Sequence, residues 1–189
     1  NPFQIMNELV RKDAISILSQ LIEILKVKEE KDAAEIRELS NHTIHNASVF
    51  QDEASVSIAI LIYSLSKIIE RKQWQLDYKS IVSILEDAKE FLENERFEEY
   101  NKAIKKLFGL ISNIDSKLKL YIGEVINQAQ IKKGSKLYEH GISVARAAEV
   151  LGISQWELMG YIGKTKLTEE TPDIIDLKTR IKFARGLFE

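Results

Sequence analysis

GISVARAAEVLGISQWELMGYIGK, residues Gly141–Lys164, carries the signals of two short helices joined by a tight turn. Ser143 suits the start of a helix whose inner face would be Val144, Ala147, Ala148 and Leu151. Gly152 follows, where a left-handed backbone costs a glycine nothing. Ile153 then packs back toward the core. Ser154 and Glu157 make an S-x-x-E capping box for the second helix. Leu158 and Tyr161, three residues apart, face inward on that helix. The small side chain of Ala148 lets the two helices cross closely. Together these features predict a helix-turn-helix, the motif whose second helix enters the major groove of DNA.

If Leu158 and Tyr161 are buried, the free face of the second helix offers Gln155, Trp156, Met159 and Gly160. Gln155 has the paired donor and acceptor that read adenine. Trp156 and Met159 suit a thymine methyl group or a protein partner. Arg146, Lys164 and Lys166, with Lys132, Lys133 and Lys136, are candidate phosphate contacts. The expected DNA-binding set is therefore Arg146, Ser154, Gln155, Trp156, Met159, Gly160, Lys164 and Lys166.

Lys136–Ile162 resembles the small helix-turn-helix antitoxins of prokaryotes that are paired with PIN-domain ribonuclease toxins. The resemblance rests on Leu137, Tyr138, Gly141, Ser143, Ala147, Ala148, Glu149, Gly152, Ser154, Trp156 and Glu157. It implies autoregulatory DNA binding, a homodimer and a toxin partner protein. The long region Asn1–Ile131 has no counterpart in that family.

Outward from this segment, helical periodicity dominates. Met6, Val10, Ala14, Ile17, Leu21 and Leu25 recur in steps of three and four. A charged connection at Lys26–Lys31 leads to a helix from near Asp32, with Ala34, Ile36 and Leu39 as its apolar positions. Ser40–Asp52, SNHTIHNASVFQD, reads as a kinked helix or a polar junction. Asp52 caps Glu53–Lys72, which is apolar nearly all round at Val56, Ile58, Ile60, Leu61, Ile62, Leu65, Ile68 and Ile69. Such a helix is either central in a bundle or part of a subunit interface. Three more helices follow: Tyr78–Glu93, one that buries Phe97, Tyr100, Ile104, Leu107 and Ile111, and one from about Asp115. The charge run Glu93–Glu99 forms a solvated turn between two of them.

The expected fold is thus all-α. An antiparallel helical bundle (residues 1–131) is followed by a helix-turn-helix (132–167) and a C-terminal docking helix (168–189). Leu177, Ile181, Ala184 and Phe188 mark the apolar stripe of that last helix. The boundary falls at Lys132–Gly134.

The chain has 189 residues, no cysteine, 2 prolines and 8 glycines. Disulfides, thiolate catalysis and cysteine-based zinc sites are excluded, and so little punctuation disfavours a β-sandwich. The net charge of -2 argues against a nonspecific nucleic-acid coat. The stretch 131–168 is nonetheless basic, with six cations against Glu139, Glu149 and Glu157. No apolar run is long enough to span a bilayer and no signal peptide is evident. The expected setting is the cytoplasm, away from membranes.

Other constellations are weaker. His42 and His45 share a helix face and are the metal-ligand candidates, but they lack a complete ligand set, so no metal is expected. Arg37 and His42 fit an R-x4-H pattern similar to that of HEPN-type ribonucleases. That resemblance implies an alternative in which the bundle cleaves RNA. His140 suits a helix end. No phosphate loop, nucleophile elbow or H-E-x-x-H is present, so no cofactor and no enzymatic activity are expected. A dimeric, antitoxin-like DNA-binding transcriptional regulator is the leading expectation. An interaction scaffold built on the same helices is a further alternative.

Overall fold

The computed structural model describes residues 6–27, 32–72, 75–131 and 144–169. Among them lie eight helices and no strand. They are α1 (Glu8–Val27), α2 (Asp32–Phe50), α3 (Glu53–Lys72), α4 (Tyr78–Glu93), α5 (Phe97–Ile114), α6 (Leu118–Ala129), α7 (Val144–Leu151) and α8 (Gln155–Glu169). The Lys132–Gly134 boundary, the Ser143 cap, His140 and the C-terminal stripe lie outside the described residues.

α3 is the axis of the bundle. It packs on α1, α2, α5, α6 and α7. That explains its all-round apolar surface: Val56, Ile58, Ile60, Leu61, Ile62, Leu65, Ile68 and Ile69 are all buried within the chain. A subunit interface is therefore not needed to cover α3. The serines among these residues look inward as well, and Ser64 bonds back to the Ile60 carbonyl at 2.7 Å, which satisfies its hydroxyl without an outside partner.

Of the polar stretch Ser40–Asp52, α2 takes in residues up to Phe50 without a break, and the junction with α3 falls at Gln51–Asp52. Its inner face is small (Ser40, Thr43, Ala47), which permits close approach to α3. Thr43 donates to the Ser40 carbonyl at 2.8 Å and Ser48 to that of His45 at 2.6 Å, so the helix itself takes up these two hydroxyls, whereas Ser40 Oγ is buried without a partner. Ala34, expected inside, is exposed, whereas Ile36 and Leu39 are buried.

Asp52 caps α3 through the Ser55 amide at 3.0 Å, and Asp77 caps α4 through the Ser80 amide at 3.2 Å. α6 begins at Leu118, later than expected, because Asp115 serves another purpose. Its buried carboxylate accepts from the Tyr121 hydroxyl at 2.7 Å and from the Lys117 amide at 3.0 Å. Burial, then the bond to Asp115, pushes the Tyr121 phenol up to about 12.

The helix ends explain how so few glycines suffice. Gln51, Glu95 and Gln130 adopt positive φ of 48°, 56° and 49°. The Glu95 turn is closed by Arg96 donating to the Phe91 carbonyl at 2.8 Å and by Glu95 donating to that of Leu92 at 3.2 Å. A side chain in this region is strained by about 1–2 kcal/mol, so Glu95→Gly should raise stability by about 0.5–1 kcal/mol after the added freedom of the unfolded chain is subtracted. Urea denaturation of the two proteins measures it, and an unchanged or lower midpoint would contradict the strain.

Candidate nucleic-acid interface

α7, the turn and α8 form the expected helix-turn-helix. α7 buries Val144, Ala147, Ala148, Val150 and Leu151. Gly152 has φ +72°. Its amide donates to the Glu149 carbonyl at 3.2 Å, and the Ile153 amide to that of Ala148 at 3.0 Å. This pair of bonds is a Schellman turn, and a Cβ at Gly152 would strain it. The capping box is complete. The Ser154 amide donates to Glu157 Oε2 at 2.9 Å, and the Glu157 amide donates to Ser154 Oγ at 3.1 Å.

The motif docks on the bundle instead of standing apart. α7 packs on α3 and α5, and α8 packs on α6 and α7. Leu158 and Ile162 join the same apolar core as the bundle. Gly123 of α6 allows the approach of α8, since a Cβ there would meet the Tyr161 ring at 3.3 Å. Lys119 of α6 donates to Glu157 Oε1 at 2.7 Å. That bond, followed by those from Ser154, pulls the Glu157 carboxyl down to about 2.

Burial gives α8 an inner and an outer side, with half-buried residues between them. Ser154, Gln155, Trp156 and Gly160 are exposed, and Trp156 retains 85% of its accessible surface. Met159, expected on the same face, is half-buried against the core. It lies beside Leu158 and three residues before Ile162, at the edge of the buried arc. Ile162 is the core position that the Leu158–Tyr161 spacing missed, and Tyr161 is only partly buried.

The cations differ more from expectation. Arg146 is not free: its Nη2 donates to Glu98 Oε1 of α5 at 2.7 Å. Lys105 pairs with Glu149 at 3.4 Å. Lys164 and Lys166 lie on α8, but their side chains fall outside the described ones, as do Lys132, Lys133 and Lys136 altogether.

The histidine segment does not assemble into a centre. His42 and His45 are exposed on α2. Among the described residues no three His, Asp or Glu side chains converge as metal ligands. Asn46 donates to Asp13 Oδ2 at 2.8 Å and sits 3.5 Å from His42 Nε2. Arg37 is engaged elsewhere, donating to Glu70 Oε1 through Nε at 2.9 Å and Nη2 at 2.6 Å. Five residues of helix set Arg37 and His42 about 140° apart around α2, so the two do not meet within one chain. No described helix is long and apolar enough to cross a membrane. Comparison with family models, curated proteins and solved structures returns no match.

Proposed function

We propose that the chain is a dimeric helix-turn-helix regulator of transcription, antitoxin-like, which binds duplex DNA in the cytoplasm and is not itself an enzyme. The observation that carries this reading is the division of α8: Leu158 and Ile162 are sealed in the core while Gln155, Trp156 and Gly160 remain free. A rigid helix with one open face, set by a Schellman turn and a capping box, suits insertion into the major groove. Gln155 is assigned to base edges and Trp156 to a thymine methyl or a sugar. Lys164, Lys166 and Arg146 are assigned to phosphates, with Arg146 exchanging Glu98 for a phosphate oxygen. Two copies would present their α8 helices to half-sites about 34 Å apart. The antitoxin resemblance makes a PIN-domain ribonuclease the protein partner to test first.

Fluorescence anisotropy against the DNA upstream of the gene, and against random duplex, tests the reading. Binding should weaken as salt rises. Gln155→Ala should cost about 1–3 kcal/mol on the preferred duplex only. Lys164→Ala should weaken binding to both duplexes and reduce the salt slope by about one. Equal, negligible binding to both at ~50 mM salt would overturn the proposal.

A further inference from the structure

Glu53 opens α3 at the seam where the bundle meets the helix-turn-helix. Its side chain is buried, and Oε1 has no hydrogen-bond partner. Four charged groups lie near it: Asp52 before α3, Glu98 on α5, and Glu149 and Arg146 on α7. Tyr100 of α5 is close enough to feel both Glu53 and Asp52, and its hydroxyl is likewise buried without a partner. Arg146 is the one cation in this set, and Glu98 already holds it at 2.7 Å. An ionised Glu53 would therefore join Asp52, Glu98 and Glu149 around one guanidinium, with Lys105 of α5 pairing with Glu149 at 3.4 Å. A buried carboxylate that lacks donors is costly to charge, and a proton relieves the cost.

We propose that Glu53 is a proton-operated latch between the bundle and the helix-turn-helix. Uncharged, it lets α7 seat on α3 and α5. Charged, it repels Asp52, Glu98 and Glu149, and α7 loosens. The titration falls near neutrality: burial is the largest cause and, with the facing carboxylates, it outweighs the attraction of Arg146, pushing Glu53 up to about 7. The latch concerns how the motif is held and does not depend on what α8 binds.

Amide hydrogen exchange on the full chain at pH 6 and pH 8, corrected for intrinsic rates, tests it. Protection in α7 should fall by about tenfold across that interval, through a local opening that α1 and α4 do not share, so that their amides stay better protected than those of α7 at both pH values. Glu53→Gln should abolish the fall. A second variant, Glu98→Gln, frees Arg146 for Glu53 and should move the midpoint to lower pH. The latch is overturned by α7 exchanging only together with α1 and α4, by constant protection in α7, by a fall that persists in Glu53→Gln, or by a midpoint unmoved in Glu98→Gln.

Discussion

Leu61→Ala is expected to lower the unfolding free energy by about 3–4 kcal/mol. Leu61 is fully buried on the helix that touches five others. No surface lies near enough for the site to collapse around the lost atoms, so most of the cavity should persist. In a domain of this size the loss should depress the melting temperature by roughly 6–16 °C. Chemical denaturation of wild type and variant measures it. A loss below about 1 kcal/mol would mean that α3 is not the axis of the bundle.

Glu53→Gln is expected to act in the opposite direction, and only above acid pH. Glu53 rises from an ordinary 4.5 in the unfolded chain to about 7 in the fold. Between those values the folded protein holds a proton that the unfolded chain releases, so stability falls as pH rises. Above pH 7 the full penalty, about 3 kcal/mol, is present. Below pH 4.5 both states are protonated and it vanishes. Glutamine mimics the uncharged carboxyl throughout. The variant should therefore match wild type at pH 4 and exceed it by about 2–3 kcal/mol at pH 8. Parallel stability curves across this range would show that Glu53 is not charged at a cost in the fold.

Much of this architecture was legible in the chain because it depends on local pattern. Asp52 and Asp77 begin helices with hydroxyl residues three positions on, and both cap as such residues do. The Gly152 turn and the Ser154–Glu157 box are also local, and each bond they imply is present. The all-round apolar α3 left two places open, the centre of the bundle or a subunit interface, and only its packing within the chain selects the first. What stayed hidden depends on residues distant in sequence. Nothing near Arg146 announces Glu98, 48 residues earlier, and nothing near Glu157 announces Lys119. Gln51, Glu95 and Gln130 close turns in a conformation that favours glycine, so composition gave no sign of them. SNHTIHNASVFQD reads as a kinked helix or a polar junction because its residues are polar. The junction is confined to Gln51–Asp52, and the rest is continuous helix because Thr43 and Ser48 bond to their own turn and the small side chains pack closely on α3. Glu53 looked like an ordinary first-turn acid, a place where the helix dipole favours charge. Only the packing of α5 and α7 near it reveals that it is buried.

The central claim, that the open face of α8 is the DNA interface, is tested most directly by Trp156 itself. The chain has 2 tryptophans, so Trp74→Phe leaves Trp156 as the sole indole reporter. Acrylamide quenching is measured with and without the upstream duplex, with anisotropy of the labelled DNA confirming occupancy. The account predicts strong quenching of free protein, since Trp156 is 85% exposed, and marked protection once the duplex is bound. A duplex that binds while Trp156 stays equally accessible would contradict it, as would no binding at all.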